Sequence, residues 1–197
     1  LIVTGVQTCA LPIFLNAAGV HVLDRLHTWL GPITAVSGRM QQLGGLDGGA
    51  DDTYSALMQT ERGASISIQH CSAAQGDGVS VCKVIGTEGS VWLDQGKAYI
   101  STGGASAPID VPPDLVPPPT PDFDADDPKH AFTGFELPLF IRLAERLRDE
   151  ITGTPVTAGA PATPTFTDGL ATQMVIDAIR DSSAGSGRVI ELEGSTP

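Results

Sequence analysis

From Asp52 to Thr60 the chain sets Tyr54, Ala56 and Met58 on alternate positions. It turns through Glu61-Arg62-Gly63 and returns with Ala64, Ile66, Ile68 and His70, again on alternate positions. Period-two alternation on both sides of a glycine-bearing turn specifies a β-hairpin with one buried face. Other short runs surround it. Ile33 to Met40 precedes it. Val79 to Ile85 follows and is turned by Gly86-Thr87-Glu88-Gly89, and Val91 to Leu93 and Ala98 to Ile100 form a last hairpin about Gln95-Gly96. Reversals this short favour antiparallel pairing, because a parallel crossover needs a dozen residues or more.

A sheet face needs a cover, and three helical segments offer one. Ala17 to Leu30 carries Leu23, Leu26 and Leu30 on one face and His21, Asp24 and Thr28 on the other; Asn16 is placed to cap it and Gly31-Pro32 to stop it. Leu137 to Ile151 lines Leu137, Phe140, Ile141, Ala144, Leu147 and Ile151 along one face, with Arg142, Glu145, Arg146 and Asp149 opposite. A third helix starts at Thr165 or Thr167 and runs to about Ser182, and Val189 to Leu192 forms a closing strand. Asp168-Gly169 reads as the start of that helix, where a carboxylate suits the positive end of the dipole. Gly44 to Ala50, the proline- and aspartate-rich stretch 108–128, and Thr152 to Pro164 read as loops. The order indicates an α+β fold with one open, mainly antiparallel sheet and helices on one face. The open face of such a sheet is expected to pair with a second subunit, giving a homo-oligomer.

Residues 1–13 stand apart. Val3 to Ile13, back-translated, resembles a common short-read sequencing adapter read in frame. We therefore expect Leu1 to Ile13 to make few contacts and to have no role. The natural sequence is then expected to start near Phe14 or Leu15, with residues 14–197 forming one domain.

The formal charge of −12 argues against nucleic acid or an anionic membrane surface as a partner. No apolar run reaches the roughly 18 residues of a membrane span. Cys71 and Cys82 fit no zinc pattern and read as buried free thiols of a cytoplasmic protein. Asp51 and Asp52 open the hairpin; adjacent strand carboxylates point to opposite faces and make a poor metal pair. Trp29 and Trp92 read as core, and His70 as structural.

Five segments then occur in a telling order. They are Gly19-Val20-His21-Val22-Leu23-Asp24, Leu30-Gly31 before a strand, Asp51-Asp52, Ile85-Gly86-Thr87-Glu88-Gly89-Ser90-Val91-Trp92-Leu93, and Phe166-Thr167-Asp168-Gly169-Leu170. Together they resemble the C-terminal part of the glucose–fructose oxidoreductase and inositol dehydrogenase family (Gfo/Idh/MocA), over Leu15 to Leu192. The resemblance implies a two-domain Rossmann-type dehydrogenase. An upstream half would bind NAD or NADP, while this half supplies part of the substrate site and the oligomer sheet. No glycine-rich dinucleotide fingerprint follows a strand here, and the family's Glu-Lys-Pro segment has no counterpart. The chain alone is therefore expected neither to bind the cofactor properly nor to turn over. The implied substrate is a sugar, polyol or related carbonyl compound.

His21 matches the family's catalytic histidine. Alcohol oxidation releases a proton to a base, and an imidazole with a pKa near 6.5 can take it at neutral pH. The bland alternative is a histidine on a solvated helix face. Asp24, one turn on, is a candidate substrate-binding residue or orients the imidazole; otherwise it is an exposed helix acid beside Arg25 or Thr28. Many members carry an aspartate four residues before the histidine, and here that position is Ala17. This departure keeps two further functions open: a non-catalytic binding or assembly subunit, and a lyase-like member using transient oxidation.

Overall fold

The computed structural model describes residues 15–44, 51–75, 79–124, 126–130, 133–155 and 162–192. The adapter-like segment, most of the Gly44 to Ala50 loop and residues 156–161 lie outside these. The described residues fall into two compact units, one from residues up to 74 together with those from 162 onward, the other from 75 to 155.

In the first unit a π-helical turn, Leu15–Gly19, leads into α1, Val20–Leu30. Strands β1 (Ile33–Gln41), β2 (Thr53–Thr60) and β3 (Ser65–Cys71) follow. A two-residue strand near the C-terminus joins β1 on its other side, pairing Ala35 with Glu191 and Val36 with Ile190. The sheet is antiparallel throughout, and in the predicted hairpin Ala56 sits opposite Ile68 and Met58 opposite Ile66. Alternation does what the sequence requires. Tyr54, Ala56 and Met58 are buried while Ser55, Leu57 and Gln59 are exposed. The cover on the buried face is the last helix, Phe166–Ala184, which presents Val175, Ile176 and Ile179; Leu15, Leu23 and Leu26 join the same core.

That helix approaches β1 closely. A Cβ on Gly38 would sit 3.0 Å from Ile179 Cγ2 and 3.3 Å from the helix backbone, so glycine lets the helix reach the strand. Beyond the two residues that the C-terminal strand covers, the β1 edge is closed by side chains. The Gly38 and Met40 amides donate to the Ser182 and Ser183 hydroxyls at 2.8 and 2.9 Å. An open edge of this kind otherwise recruits foreign strands.

Thr165, the first of the two proposed caps, starts this helix. It forms a capping box in which the Thr165 amide donates to Asp168 at 2.6 Å and the Asp168 amide to the Thr165 hydroxyl at 3.4 Å. Thr165→Ala is expected to lower stability by about 1 kcal/mol, read as a lower midpoint in thermal or urea unfolding.

In the second unit strands β4 (Val81–Gly86), β5 (Gly89–Asp94), β6 (Lys97–Thr102) and β7 (Ala105–Ile109) pair in sequence order. The antiparallel α+β class therefore holds, but the strands make two open sheets instead of one. The reason is local. Turns such as Gln95-Gly96, at φ +47° and +78°, are short enough to return each strand onto its neighbour. The first sheet, meanwhile, closes one edge with the C-terminal strand and two serines. β7 also corrects the loop boundary, because Pro108 and Ile109 belong to an edge strand, where a missing N–H is tolerated. The connection after it holds two single 3-10 turns, Pro113–Leu115 and Pro128–His130.

α2 spans Thr133–Thr152, four residues longer at its start than the spacing predicts. Pro138 inside it cannot donate to the Gly134 carbonyl, and the Thr120 hydroxyl does so instead at 3.1 Å. Its apolar stripe is not a core face, since Phe140, Leu147 and Ile151 are exposed, Ile151 at 76%. Its polar side carries ion pairs such as Arg142–Glu145 and Arg146–Glu150. We number the last helix, Phe166–Ala184, α3, and the C-terminal strand, Ile190–Glu191, β8. No helix among the described residues is long and apolar enough to cross a membrane.

Candidate functional site

His21 is the second residue of α1 and is exposed. The residues beneath it are specified tightly. Leu15, at the start of the π-helical turn, is 1% exposed in the core. A Cβ on Gly19 would fall 2.8 Å from Leu15 Cδ1 and 3.1 Å from the Tyr54 hydroxyl, so only glycine fits there without a shift. Tyr54 in turn stacks on His70, with ring centroids 5.3 Å apart, and its phenol pKa is raised by burial. His70 thus has the structural setting that the sequence suggests.

Asn16 does not cap the helix. The residue preceding α1 is Gly19, in helical conformation and without a side-chain cap bond. The π-helical turn adds residues ahead of α1, which moves Asn16 out of capping register. Its Oδ1 instead accepts from Arg180 Nη2 at 2.7 Å, across the first unit from α3. Arg180 Nη1 is paired to Asp177 at 2.7 Å, and Gln173 donates to the same carboxylate oxygen at 3.0 Å. Asp51 lies within the influence of this guanidinium. Burial and the neighbouring Asp52 charge raise its carboxyl pKa, and Arg180 offsets part of that. Ala17 is exposed and brings no functional group to the turn.

Asp24 is half-buried on α1. The Thr28 hydroxyl donates to its carbonyl at 3.0 Å, and the Arg25 guanidinium lies 5.3 Å over the Trp29 ring. Asp24's clearest electrostatic partner is therefore His27, one turn on. The sequence reading passed over His27. Its pKa is lowered by burial, against the opposing charges of Asp24 and Asp168. Both its ring nitrogens are buried without a hydrogen-bond partner. The sign of the consequence follows. A folded-state pKa below the ordinary 6.5 means that the unfolded chain takes up the proton first. Stability is then complete above about pH 6.5 and falls as pH drops from there toward the folded pKa. Urea midpoints measured between pH 7.5 and 5 should show this fall, and His27→Gln should flatten it.

Asp52 is a structural acid. It is buried, accepts from the Leu43 and Gly44 amides at 2.9 and 2.6 Å and from the Thr53 hydroxyl at 2.8 Å, and these bonds hold its pKa down. Cys71 receives the same hydroxyl at 3.2 Å. Neither tryptophan is core. Trp29 is 43% exposed beneath Arg25, while Trp92 is half-buried, stacked on Tyr99 at 5.4 Å with Lys83 Nζ 4.9 Å from its ring. Among the described residues no group of three histidine, cysteine or acidic side chains is set to hold a metal.

On the outer face of the first sheet Arg39, Ser55, Gln59, Ser67 and Gln69 are exposed around a single large apolar residue, Leu57.

Residues 14–92 match the family model for the GFO/IDH/MocA C-terminal domain. Among solved structures, an oxidoreductase from Agrobacterium radiobacter in complex with NAD+, L-tartaric acid and magnesium is 15% identical. It aligns with a TM-score of 0.66 over 92% of this chain and 50% of its own. Levoglucosan dehydrogenase in complex with NADH and levoglucosan is 18% identical, with a TM-score of 0.65 over 90% and 49%. Aldose-aldose oxidoreductase from Caulobacter crescentus, complexed with glycerol, is 19% identical, with a TM-score of 0.57 over 90% and 47%. The chain spans about half the length of these proteins. No curated protein sequence matches it.

Proposed function

We propose, from the match of residues 14–92 to the family model for the GFO/IDH/MocA C-terminal domain, that the chain is the substrate-side half of an NAD(P)-dependent oxidoreductase acting on a sugar, polyol or related carbonyl compound. In this reading His21 is the acid/base and Asp24 a substrate contact. One observation carries the proposal: an exposed histidine stands at the head of α1, directly above a turn fixed by a buried leucine, a sterically required glycine and an arginine-bound asparagine.

The described residues do not fit a dinucleotide. No strand among them leads through a glycine-rich loop into a helix, and the N-terminus of α3 is already occupied by its own capping box. A nicotinamide held by a further half of the protein would accept the hydride. This chain's part is to orient the substrate carbinol and to take its hydroxyl proton on the His21 imidazole. The substrate hydroxyl loses that proton as its C–O bond becomes a carbonyl, and reduction runs the same path in reverse.

The experiment is direct. The 197-residue chain, titrated with NADH and NADPH by fluorescence, should show no saturable binding and no hydride transfer with any polyol. Joined to the dinucleotide-binding half from its own locus, it should gain both. Binding or turnover by the chain alone would overturn the half-enzyme reading. The joined protein is expected to be a homo-oligomer. Ala17, exposed where many members carry an acid, favours a second reading as a non-catalytic assembly subunit. That reading predicts cofactor binding without turnover across a polyol and aldose panel.

A further inference from the structure

We infer that Arg180 is the positioning residue of the candidate site, holding the first turn of α1, and His21 with it, through Asn16. This rests on the reading of His21 as the acid/base.

α1 does not start afresh at Val20: Gly19 before it is itself helical, at φ −63° and ψ −33°, so the π-helical turn Leu15–Gly19 runs straight into α1 with no side-chain cap at the join. His21 is the second residue past that join, so whatever holds the turn also holds the start of α1. The five residues before it are wound as a π-helix, a rare geometry that persists where neighbouring groups hold it. Leu15 anchors the far end in the core, and Gly19 fits against Tyr54 at the near end. Between them, Asn16 is bound by Arg180 at 2.7 Å in a part-buried setting, with 164 residues of chain separating the two.

Arg180 is itself held on both sides. Asp177 fixes Nη1, and Nη2 is spent on Asn16. Nε is buried and has no partner, which costs free energy that a methionine or leucine in the same place would avoid. A guanidinium kept at that cost is kept for what its two other nitrogens do. One of them does local work on α3, and the other reaches the turn beneath His21. Arg180 thus braces the turn that leads into α1, from another element of the same unit.

The test uses the 197-residue chain and three variants, Arg180→Met, which keeps the aliphatic stem and removes the fork, Asn16→Ala, and the two combined. Hydrogen exchange is followed at Asn16 to His21 and at β1 and β2, and the His21 ring by its carbon-bound proton resonances. Each single variant should speed exchange at Asn16 to His21 about ten- to a hundredfold, the range for a hydrogen bond to a charged group. β1 and β2 should stay protected, and the double variant should go no further than the singles. The His21 resonance should move in all three and stay put in Thr165→Ala, which weakens the same unit elsewhere. Arg180→Lys should restore only part of the protection. Exchange that rises uniformly, additive effects in the double variant, or an unmoved His21 resonance would each overturn the inference. None of these readouts needs turnover. A restored enzyme whose His21→Ala variant stays active would therefore remove the acid/base reading and leave this measurement standing.

Discussion

In the protein joined to its dinucleotide-binding half, His21→Ala should lower kcat by about a hundred- to ten-thousand-fold, the usual loss for a positioned acid/base. Cofactor affinity should hardly change, because the described residues offer no dinucleotide cradle. The stability of the 197-residue chain should also hold, since His21 is exposed and surface substitutions usually stay within about 0.5 kcal/mol. The pH–rate profile should lose one limb, the one that reports the acid/base. The split between kcat and stability is the informative part. A variant within about threefold of the parent kcat at saturating substrate would show that the proton goes elsewhere, and the assembly-subunit reading would gain. A variant that loses kcat together with several kcal/mol of stability would show a structural histidine.

The second large effect is expected in the core. Ile179→Ala should destabilise the chain by about 2–5 kcal/mol, as large-to-small changes at fully buried aliphatic sites do. Ile179 is 0% exposed, and its Cγ2 fills the space that the missing Gly38 side chain leaves. Neither the helix nor the strand can collapse into the hole, because Ser182 and Ser183 tie the two backbones together one turn on. Against a total of about 5–15 kcal/mol for an ordinary domain, this is a large share. A urea titration should show a lower midpoint with little change in slope. Ile151→Ala in α2 is the control: same residue type, 76% exposed, and expected to cost about 0.5 kcal/mol or less. Equal losses at the two positions would contradict the burial described here.

Local patterns were legible where one physical rule acts alone. The hairpin of β2 and β3 follows from alternation and a turn. The start of α3 follows from the reach of Thr165 to Asp168, three residues on. Both signals are short-range, and the structure keeps both. α2 shows the limit of the same reasoning. Its apolar periodicity predicts a helix correctly, but periodicity says only that a face is apolar, not that anything covers it. The division into two sheets was hidden for a related reason, since strand patterns do not say where pairing stops. His21 and Asp24 were proposed from a motif, and both lie on α1, His21 exposed and Asp24 half-buried. Asn16 was misread as a cap because Arg180 is 164 residues away, and no local spacing carries that bond. His27 was missed because burial in the folded chain, which local sequence does not show, lowers its pKa.

The first unit is built from two stretches of chain, with the whole of the second unit synthesised between them. During translation this imposes an order. β4 to β7 meet only nearest neighbours and can close within microseconds of leaving the ribosome, as hairpins do. β1 to β3 emerge earlier and can pair, but the helix that covers them arrives about a hundred residues later, a wait of roughly 5–20 s at usual elongation rates. For that interval the inner face of the sheet, with Val36, Tyr54, Ala56 and Met58, stands bare to solvent or to a chaperone. The hydroxyls that shield the β1 edge are still unmade as well. A message cut short before Phe166 therefore yields a nascent sheet with nothing to close it, and such a product should partition to aggregates or proteases rather than to a smaller folded protein.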